Sequence, residues 1–219
     1  MKRIGILISG RGSNMLSLLD AMESGFVPGK CVLVASNVAD APGLTSASAR
    51  NVRTAVVDHH GSSSREEHDE KLLALFREAG VEIVCLAGYM RLLSPVLLKA
   101  FPHRVLNIHP ALLPSFPGLH VQRKALEHGV RFSGCTVHLV DEEVDHGPIV
   151  LQAVVPILPN DDEDTLCARI LTFEHIVYPR ALKLLCEEKI EVRNGRVKLL
   201  IPLREYTELL NDLVYRVEK

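Results

Sequence analysis

Short, continuous apolar runs alternate with amphipathic segments through the first half of the chain. The runs are rich in β-branched residues and lie at Ile4–Ile8, Cys31–Ser36, Thr54–Val57, Glu82–Leu86 and Val105–Ile108. Between them, apolar residues recur with helical spacing in Asn14–Glu23, Gly43–Asn51, Arg65–Ala79 and Pro95–Ala100. Runs of the first kind indicate parallel strands covered on both faces. The alternation predicts an α/β fold: a doubly wound, mostly parallel open sheet with helices on both faces.

The pattern changes beyond Gly134. Two strands, Cys135–Asp141 and Ile149–Ile157, are joined by an acidic loop, which predicts a mixed sheet toward the C-terminus. A long helix is expected from the acidic start Asp161–Glu163 to about Cys186, followed by a hairpin with Asn194-Gly195 as its turn. The tail places apolar residues on one helical face, for packing on the core or against a second copy: Tyr206, Leu209, Leu210, Leu213 and Val217.

Composition and charge narrow the classes of partner. The formal net charge of the 219 residues is −2, and no basic run offers a nucleic-acid surface. No apolar stretch approaches the roughly 18 residues of a membrane span, so we expect no membrane partner. The five cysteines are odd in number and lack a C-x-x-C pair. We therefore expect reduced thiols in a cytoplasmic protein.

The stretch Arg104–Pro110 is the first candidate for chemistry. Side chains alternate along a strand, so Asn107 and His109 project to the same side before Pro110 ends the strand. An imidazole that can carry charge near neutral pH, beside an amide donor, suits stabilisation of an oxyanion. Taken alone, the pattern fits a capping amide and a satisfied histidine equally well.

A glycine loop, Ser9-Gly-Arg-Gly-Ser-Asn14, directly follows the first strand and opens the first helix. Its glycines permit close approach of the backbone to a ligand, and a helix N-terminus favours an anion. Met15 stands where a dinucleotide fingerprint needs its third glycine, and the Gly-Lys-Ser/Thr of a nucleotide P-loop is absent. A single phosphate group is the simplest ligand, and a plain tight turn is the alternative.

The acidic loop supplies a third element. Asp145 precedes His146-Gly147-Pro148, a tight turn that fixes where its carboxylate points. Near His109, that carboxylate would stabilise an imidazolium and orient water for proton transfer. A metal held by His138, Asp145 and His146 lacks a supporting ligand spacing, so we expect no metal.

Together these three motifs resemble the phosphoribosylglycinamide formyltransferases, the folate-dependent glycinamide ribonucleotide transformylases. Two further segments carry the resemblance: Leu86-Ala-Gly-Tyr-Met-Arg-Leu-Leu-Ser-Pro95 and Leu112-Leu-Pro-Ser-Phe-Pro-Gly-Leu-His120. It covers about residues 3–200 and implies a Rossmann-like formyltransferase fold. With no repeat or linker in the sequence, we expect a single domain over 1–200, in which the resemblance implies a phosphate-binding half (about 1–100) and a folate-binding and catalytic half (about 101–200). A helical tail over 201–219 lies beyond the resemblance and is expected from its apolar spacing.

The resemblance implies a role for each matching residue. Gly12, Ser13 and Asn14 would bind the substrate phosphate, and Glu174 would help to position its ribose or glycinamide. Asn107, His109 and Asp145 would form the catalytic set. The folate site would take in Arg65, Met90, Arg91, Leu92, Leu93, Asn107, Asp141 and Val144.

The reaction implied by the resemblance moves a formyl group from 10-formyltetrahydrofolate, a co-substrate, to the amine of glycinamide ribonucleotide in purine biosynthesis. Attack of the amine makes an oxyanion to which charged His109 and Asn107 can donate. Asp145 would keep His109 protonated and help to carry the proton to the leaving folate nitrogen. We expect direct transfer without an enzyme nucleophile, by a monomer or homodimer.

Two other functions remain as alternatives. A formyltetrahydrofolate hydrolase uses a similar centre to pass the formyl group to water, but such enzymes usually carry a regulatory domain before the first strand. A non-catalytic module that binds a phosphate ligand is the other, since fold does not fix function. A methionyl-tRNA formyltransferase would need a further basic domain, for which we expect no room after residue 200.

Overall fold

Strands and helices alternate through the first half of the chain in this computed structural model, which describes residues 1–215. The strands are β1 (Lys2–Ile8), β2 (Gly29–Ser36), β3 (Thr54–Val56), β4 (Ile83–Leu86) and β5 (Val105–His109). The helices are α1 (Ser13–Glu23), α2 (Pro42–Ala49), α3 (Arg65–Glu78) and α4 (Pro95–Ala100), with a short 3-10 helix at His59–Gly61. Each predicted element of this half is present, with ends displaced by a few residues at most.

The second half contains the two predicted strands and the long helix. Its elements are α5 (Val121–Glu127), β6 (Phe132–Leu139), β7 (Ile149–Pro156), α6 (Glu163–Cys186), β8 (Ile190–Arg193), β9 (Arg196–Leu199) and α7 (Leu203–Asn211). The predicted turn joins β8 to β9, with positive φ at Asn194 and Gly195. The sequence analysis did not predict α5, because a helix of seven residues that buries only Val121 and Ala125 is too short to show a helical period.

Seven strands form a mixed sheet in the order β3-β2-β1-β4-β5-β6-β7. The pairs β3·β2, β2·β1, β1·β4 and β4·β5 are parallel, whereas β6 and β7 pair antiparallel. The prediction of a mostly parallel α/β sheet that becomes mixed toward the C-terminus is confirmed. In such sheets, ligands bind beyond the carboxyl ends of the strands.

The chain divides into two compact units, and the prediction of a single domain over 1–200 stays a prediction. Unit 1 comprises Met1–Asn107 and Leu139–Glu142, and unit 2 comprises Ile108–His138 and the chain from Glu143 onward. The core of unit 1 gathers fully buried side chains such as Leu7, Phe76 and Leu97. No helix within residues 1–215 is both long enough and apolar enough to cross a membrane.

The described part of the tail packs on β7. The backbone N–H of Val154 donates to the carbonyl of Leu213, and the N–H of Tyr215 donates to the carbonyl of Val154. Leu213 is only 1% exposed, so this end of the tail contributes to the core of unit 2. Val217, which the sequence analysis placed on the apolar face, lies outside the described residues.

Candidate active site

The glycine loop forms a cavity at the end of β1. Ser9–Asn14 line this space of about 260 Å³ together with Ala87, Gly88 and Met90. Gly12 is the N-cap residue of α1, with φ at +73°, and it leaves the first amide groups of the helix without a capping side chain. Those N–H groups and the helix dipole can bind an anion. The predicted residues Gly12, Ser13 and Asn14 therefore lie together at a site suited to a phosphate.

The loop depends on a glycine that the sequence analysis did not single out. The N–H of Gly43, at the start of α2, donates to the carbonyl of Gly10. A β-carbon at Gly43 would lie 2.6 Å from Ile8 Cδ1 and 3.0 Å from the Gly10 oxygen. Because Gly43 has no side chain, α2 can approach the glycine loop and support its shape.

The predicted folate segment, Met90–Leu93, follows β4 in unit 1. Met90 and Leu92 are 67% and 50% exposed, whereas Leu93 is buried. Of the other predicted folate residues, Arg65 is exposed at the start of α3, Arg91 and Asp141 are partly buried, and Val144 is exposed. Two exposed apolar side chains on one short segment suit contact with a flat, largely apolar ligand.

Buried polar side chains of α3 hold this segment. Asp69 accepts a hydrogen bond from the N–H of Ser94 at 2.5 Å, and His68 Nε2 lies 2.8 Å from the hydroxyl of Tyr89. Burial raises the pKa of Asp69 and lowers that of His68, and it also raises the pKa of Tyr89. The sequence analysis missed both α3 residues, since each occupies an ordinary helical position.

The predicted catalytic residues divide between the end of β5 and the acidic loop. Asn107 is partly buried and two residues before His109, which is only 4% exposed. Asp145 lies in unit 2 with His109, and its Oδ2 is 3.3 Å from His109 Nδ1. The same oxygen accepts a hydrogen bond from the N–H of Gly118 at 2.9 Å. The predicted pairing of imidazole and carboxylate is therefore present.

Both ring nitrogens of His109 face an acceptor. Nδ1 faces the Asp145 carboxylate, and Nε2 lies 2.9 Å from the carbonyl oxygen of Phe116. A neutral imidazole can donate only once, whereas the imidazolium form donates from both nitrogens. Either nitrogen, when it carries a proton, could donate to an oxyanion that replaces its present acceptor.

His138 is a second imidazole at the same carboxylate. It is 2% exposed, and its Nε2 lies 3.8 Å from Asp145 Oδ1. The sequence analysis weighed His138 only as a metal ligand. Its place on β6, seven positions before Asp145, gives no local sign of this contact.

Glu174 is a buried carboxylate on α6 in unit 2. Burial is the main cause that raises the pKa of Cys135, and the negative charge of Glu174 is the second.

Among residues 1–215, one group of potential metal ligands lies close together: Asp58, His59 and His60. None of these three was predicted as a site residue.

A larger cavity, of about 560 Å³, lies within unit 2 and contains none of the predicted site residues. Its lining is mostly apolar and comes from β7, β9 and the tail. No charged side chain is among the described residues that line it. The candidate site is therefore placed by its chemistry rather than by cavity size.

A comparison with known protein families matches residues 2–182 to the formyl transferase family. This chain belongs to that family. A formyl transferase structure from Symbiobacterium toebii, glycinamide ribonucleotide transformylase 1, superposes with a TM-score of 0.90 at 48% identity, covering 92% of this chain and 95% of the other. Phosphoribosylglycinamide formyltransferase of Escherichia coli (strain K12) is 40% identical over 192 residues, which are 88% of this chain and 91% of the relative.

Longer relatives contain the same formyl transferase region. The trifunctional purine biosynthetic protein adenosine-3 of Drosophila pseudoobscura pseudoobscura is 50% identical over 186 residues, or 84% of this chain. The match spans only 14% of that protein's length. The resemblance drawn from the motifs is thereby confirmed at the level of the family.

Proposed function

We propose that this chain transfers a formyl group from 10-formyltetrahydrofolate to the primary amine of glycinamide ribonucleotide, a step of purine biosynthesis. The observation that carries the proposal is the buried His109 ring, held between the Asp145 carboxylate and the Phe116 carbonyl in a formyl transferase chain. A ring held in this way can remain charged and donate to an oxyanion.

The phosphate of the acceptor substrate is proposed to bind at Gly12, Ser13 and Asn14. These residues line the loop cavity, and the uncapped N-terminus of α1 supports the assignment. Glu174 is proposed to position the ribose or the glycinamide group. A buried carboxylate can accept hydrogen bonds from hydroxyl or amine groups once they replace water.

The formyl donor is proposed to bind at Met90, Arg91, Leu92 and Leu93. The exposed side chains of Met90 and Leu92 support apolar contact, and the arginine supports charge pairing with the donor's carboxylates. The remaining proposed contacts are Arg65, Asn107, Asp141 and Val144.

The proposed reaction begins when the amine attacks the formyl carbon. A C–N bond forms, and the electron pair of the carbonyl moves to its oxygen, which accepts hydrogen bonds from His109 and Asn107. For His109 Nε2, this requires exchange of the Phe116 carbonyl for the substrate oxygen. Asp145 assists passage of the amine proton, through water, to the folate nitrogen. The electron pair on the oxygen then re-forms the carbonyl, the bond from the formyl carbon to the folate nitrogen breaks, and tetrahydrofolate leaves. These steps use the protein's own side chains, and the reaction is accelerated because both substrates are bound next to each other.

An absorbance assay for the folate product tests the proposal. Wild-type protein is mixed with 10-formyltetrahydrofolate, with and without glycinamide ribonucleotide. Release of tetrahydrofolate only when the amine is present is the expected result. Equal release without the amine would identify a hydrolase, and no release in either mixture would leave only a binding module.

We also infer a reducing compartment such as the cytoplasm for the protein. All five cysteines are free thiols, and four of them are buried. Small-molecule substrates are the proposed partners, and the chain is proposed to act as a monomer or homodimer. Neither nucleic acid nor membrane is a proposed partner.

A further inference from the structure

Three side chains and one backbone N–H at the carboxyl ends of four adjacent strands form a hydrogen-bonded chain within unit 1. Ser9 follows β1, Asn37 follows β2, His59 lies three residues after β3, and Met90 lies four residues after β4. In the sheet these strands are neighbours in the order β3-β2-β1-β4. The polar groups therefore run side by side across the strand ends, next to the glycine loop.

Ser9 forms three hydrogen bonds, and one of them joins it directly to Met90 of the folate segment. Its backbone N–H donates to the Gly88 carbonyl at 3.1 Å, and its Oγ accepts from the N–H of Met90 at 2.8 Å. The Ser9 hydroxyl in turn donates to Asn37 Oδ1 at 2.6 Å. Since Ser9, Gly88 and Met90 all line the loop cavity, these bonds fix its width.

Asn37 is held from the far side by His59. Asn37 is 5% exposed. His59 Nδ1 lies 3.1 Å from the backbone carbonyl oxygen of Asn37 and 3.4 Å from its side-chain Nδ2, and it can donate to the former or accept from the latter, depending on its tautomer. With Nδ2 on the His59 side, the Asn37 side chain presents Oδ1 to Ser9. The hydroxyl of Ser9 is then oriented so that its lone pair faces the Met90 N–H.

We propose that Ser9, oriented by Asn37, is a positioning residue that sets the place of the folate segment relative to the phosphate loop. This inference rests on the proposed function, because it assigns Met90–Leu93 to the formyl donor. Ser9 touches neither reacting atom. Its effect passes through the Met90 N–H, so its loss should weaken use of the formyl donor more than use of the phosphate substrate.

Steady-state kinetics of Ser9→Ala test the proposal, with each substrate varied in turn. Loss of one neutral hydrogen bond predicts a rise of about two- to tenfold in the KM for 10-formyltetrahydrofolate. The KM for glycinamide ribonucleotide should change less than about twofold, since the Ser9 N–H still donates to Gly88. Ser9→Thr, which retains the hydroxyl, should restore the KM for the formyl donor.

Two controls separate positioning from a general structural role. Ser24→Ala removes a serine hydroxyl that donates to the nearby Ala21 carbonyl in the turn after α1, and both KM values should match those of wild type. Ser9→Ala combined with Asn37→Leu should raise the KM for the formyl donor by less than the product of the two single effects.

Specific outcomes would overturn the proposal. An unchanged KM for the formyl donor in Ser9→Ala, or an equal rise for both substrates, contradicts it while wild-type activity upholds the proposed function. Absence of formyl transfer by wild type would instead overturn the proposed function, and the inference with it.

Discussion

Asp145 lies next to two imidazole rings and a backbone amide of unit 2. Its carboxylate faces His109 and His138 and accepts the N–H of Gly118. The backbone of Asp145 has a φ of +51°, which is uncommon for a residue other than glycine and is part of the conformation of the acidic loop. One residue thus sets the orientation of His109 and supplies the negative charge beside it.

Replacement of this carboxylate tests its part in catalysis. Asp145→Asn keeps the shape of the side chain but removes the charge that stabilises imidazolium and assists proton transfer. We expect kcat for formyl transfer to fall by about 10²- to 10⁴-fold, with the circular dichroism spectrum unchanged. Asp164→Asn, which removes an exposed carboxylate of α6, is the matched control and should retain wild-type kcat. A wild-type rate in Asp145→Asn would remove the proposed centre.

Among the elements, the glycine loop needs glycine at Gly12 for both its backbone conformation and its surroundings. Gly12 adopts φ of +73°, and a β-carbon there would lie 3.2 Å from Met15 Cε and 3.3 Å from Gly43 Cα. Gly25, in the turn after α1, has a similar φ of +76° but open space around it. A larger residue at either position would strain the backbone, but only at Gly12 would it also crowd neighbouring atoms.

This difference gives a matched pair of variants. Gly12→Val should raise the KM for glycinamide ribonucleotide at least about tenfold, because displacement of the loop removes N–H groups from the phosphate. Gly25→Val should lower the free energy of unfolding by about 1–2 kcal/mol through left-handed strain and leave that KM unchanged. Steady-state kinetics and urea denaturation measure the two effects. Equal KM values in both variants would mean that the loop is only a turn.

The tail is the second element with a testable role. Leu213 is buried within unit 2, whereas Leu203 at the start of α7 is 79% exposed. Leu213→Ala should lower the free energy of unfolding by about 2–5 kcal/mol, since it leaves a cavity in the core. Leu203→Ala should change it by less than about 0.5 kcal/mol. Urea denaturation separates the two, and similar losses would mean that the tail does not pack as described.

The stability of the protein depends on pH because folding buries titratable groups. Burial lowers the pKa of His68, positive charges on Arg91, His59 and Lys71 act in the same direction, and Asp58 opposes them. The unfolded chain therefore takes up a proton at a higher pH than the folded protein does. As pH falls below about 6.5, the usual histidine pKa, this difference destabilises the folded state.

A glutamine at this position removes the titration. The free energy of unfolding of wild type should fall as pH is lowered from 7 to 5, and that of His68→Gln should fall less over the same range. The raised pKa of Asp69 acts in the opposite direction as pH falls, and it is common to both proteins. Urea denaturation at each pH gives the two curves, and curves that stay parallel would show that His68 does not contribute.

Much of the fold and part of the site follow from patterns along the chain. Continuous apolar runs located the seven strands of the sheet, and the Asn194-Gly195 pair located the hairpin turn. Strand alternation also placed Asn107 and His109 together, and the glycines after β1 indicated an anion site. These features depend on residues within a few positions of one another, so the local sequence carries them.

Other parts of the site depend on residues brought together by folding. His138 faces Asp145 across a turn between antiparallel strands, Ser9 bonds to Met90 from 81 positions away, and Asp69 anchors Ser94 from 25 positions away. Each is an ordinary polar residue on its own strand, loop or helix. The sequence by itself therefore determined most of the elements and the candidate site residues, whereas the contacts that orient those residues arose only from the tertiary structure. The physical reason is that hydrogen-bond partners are chosen by the packing of strand ends and helices, which no local pattern records.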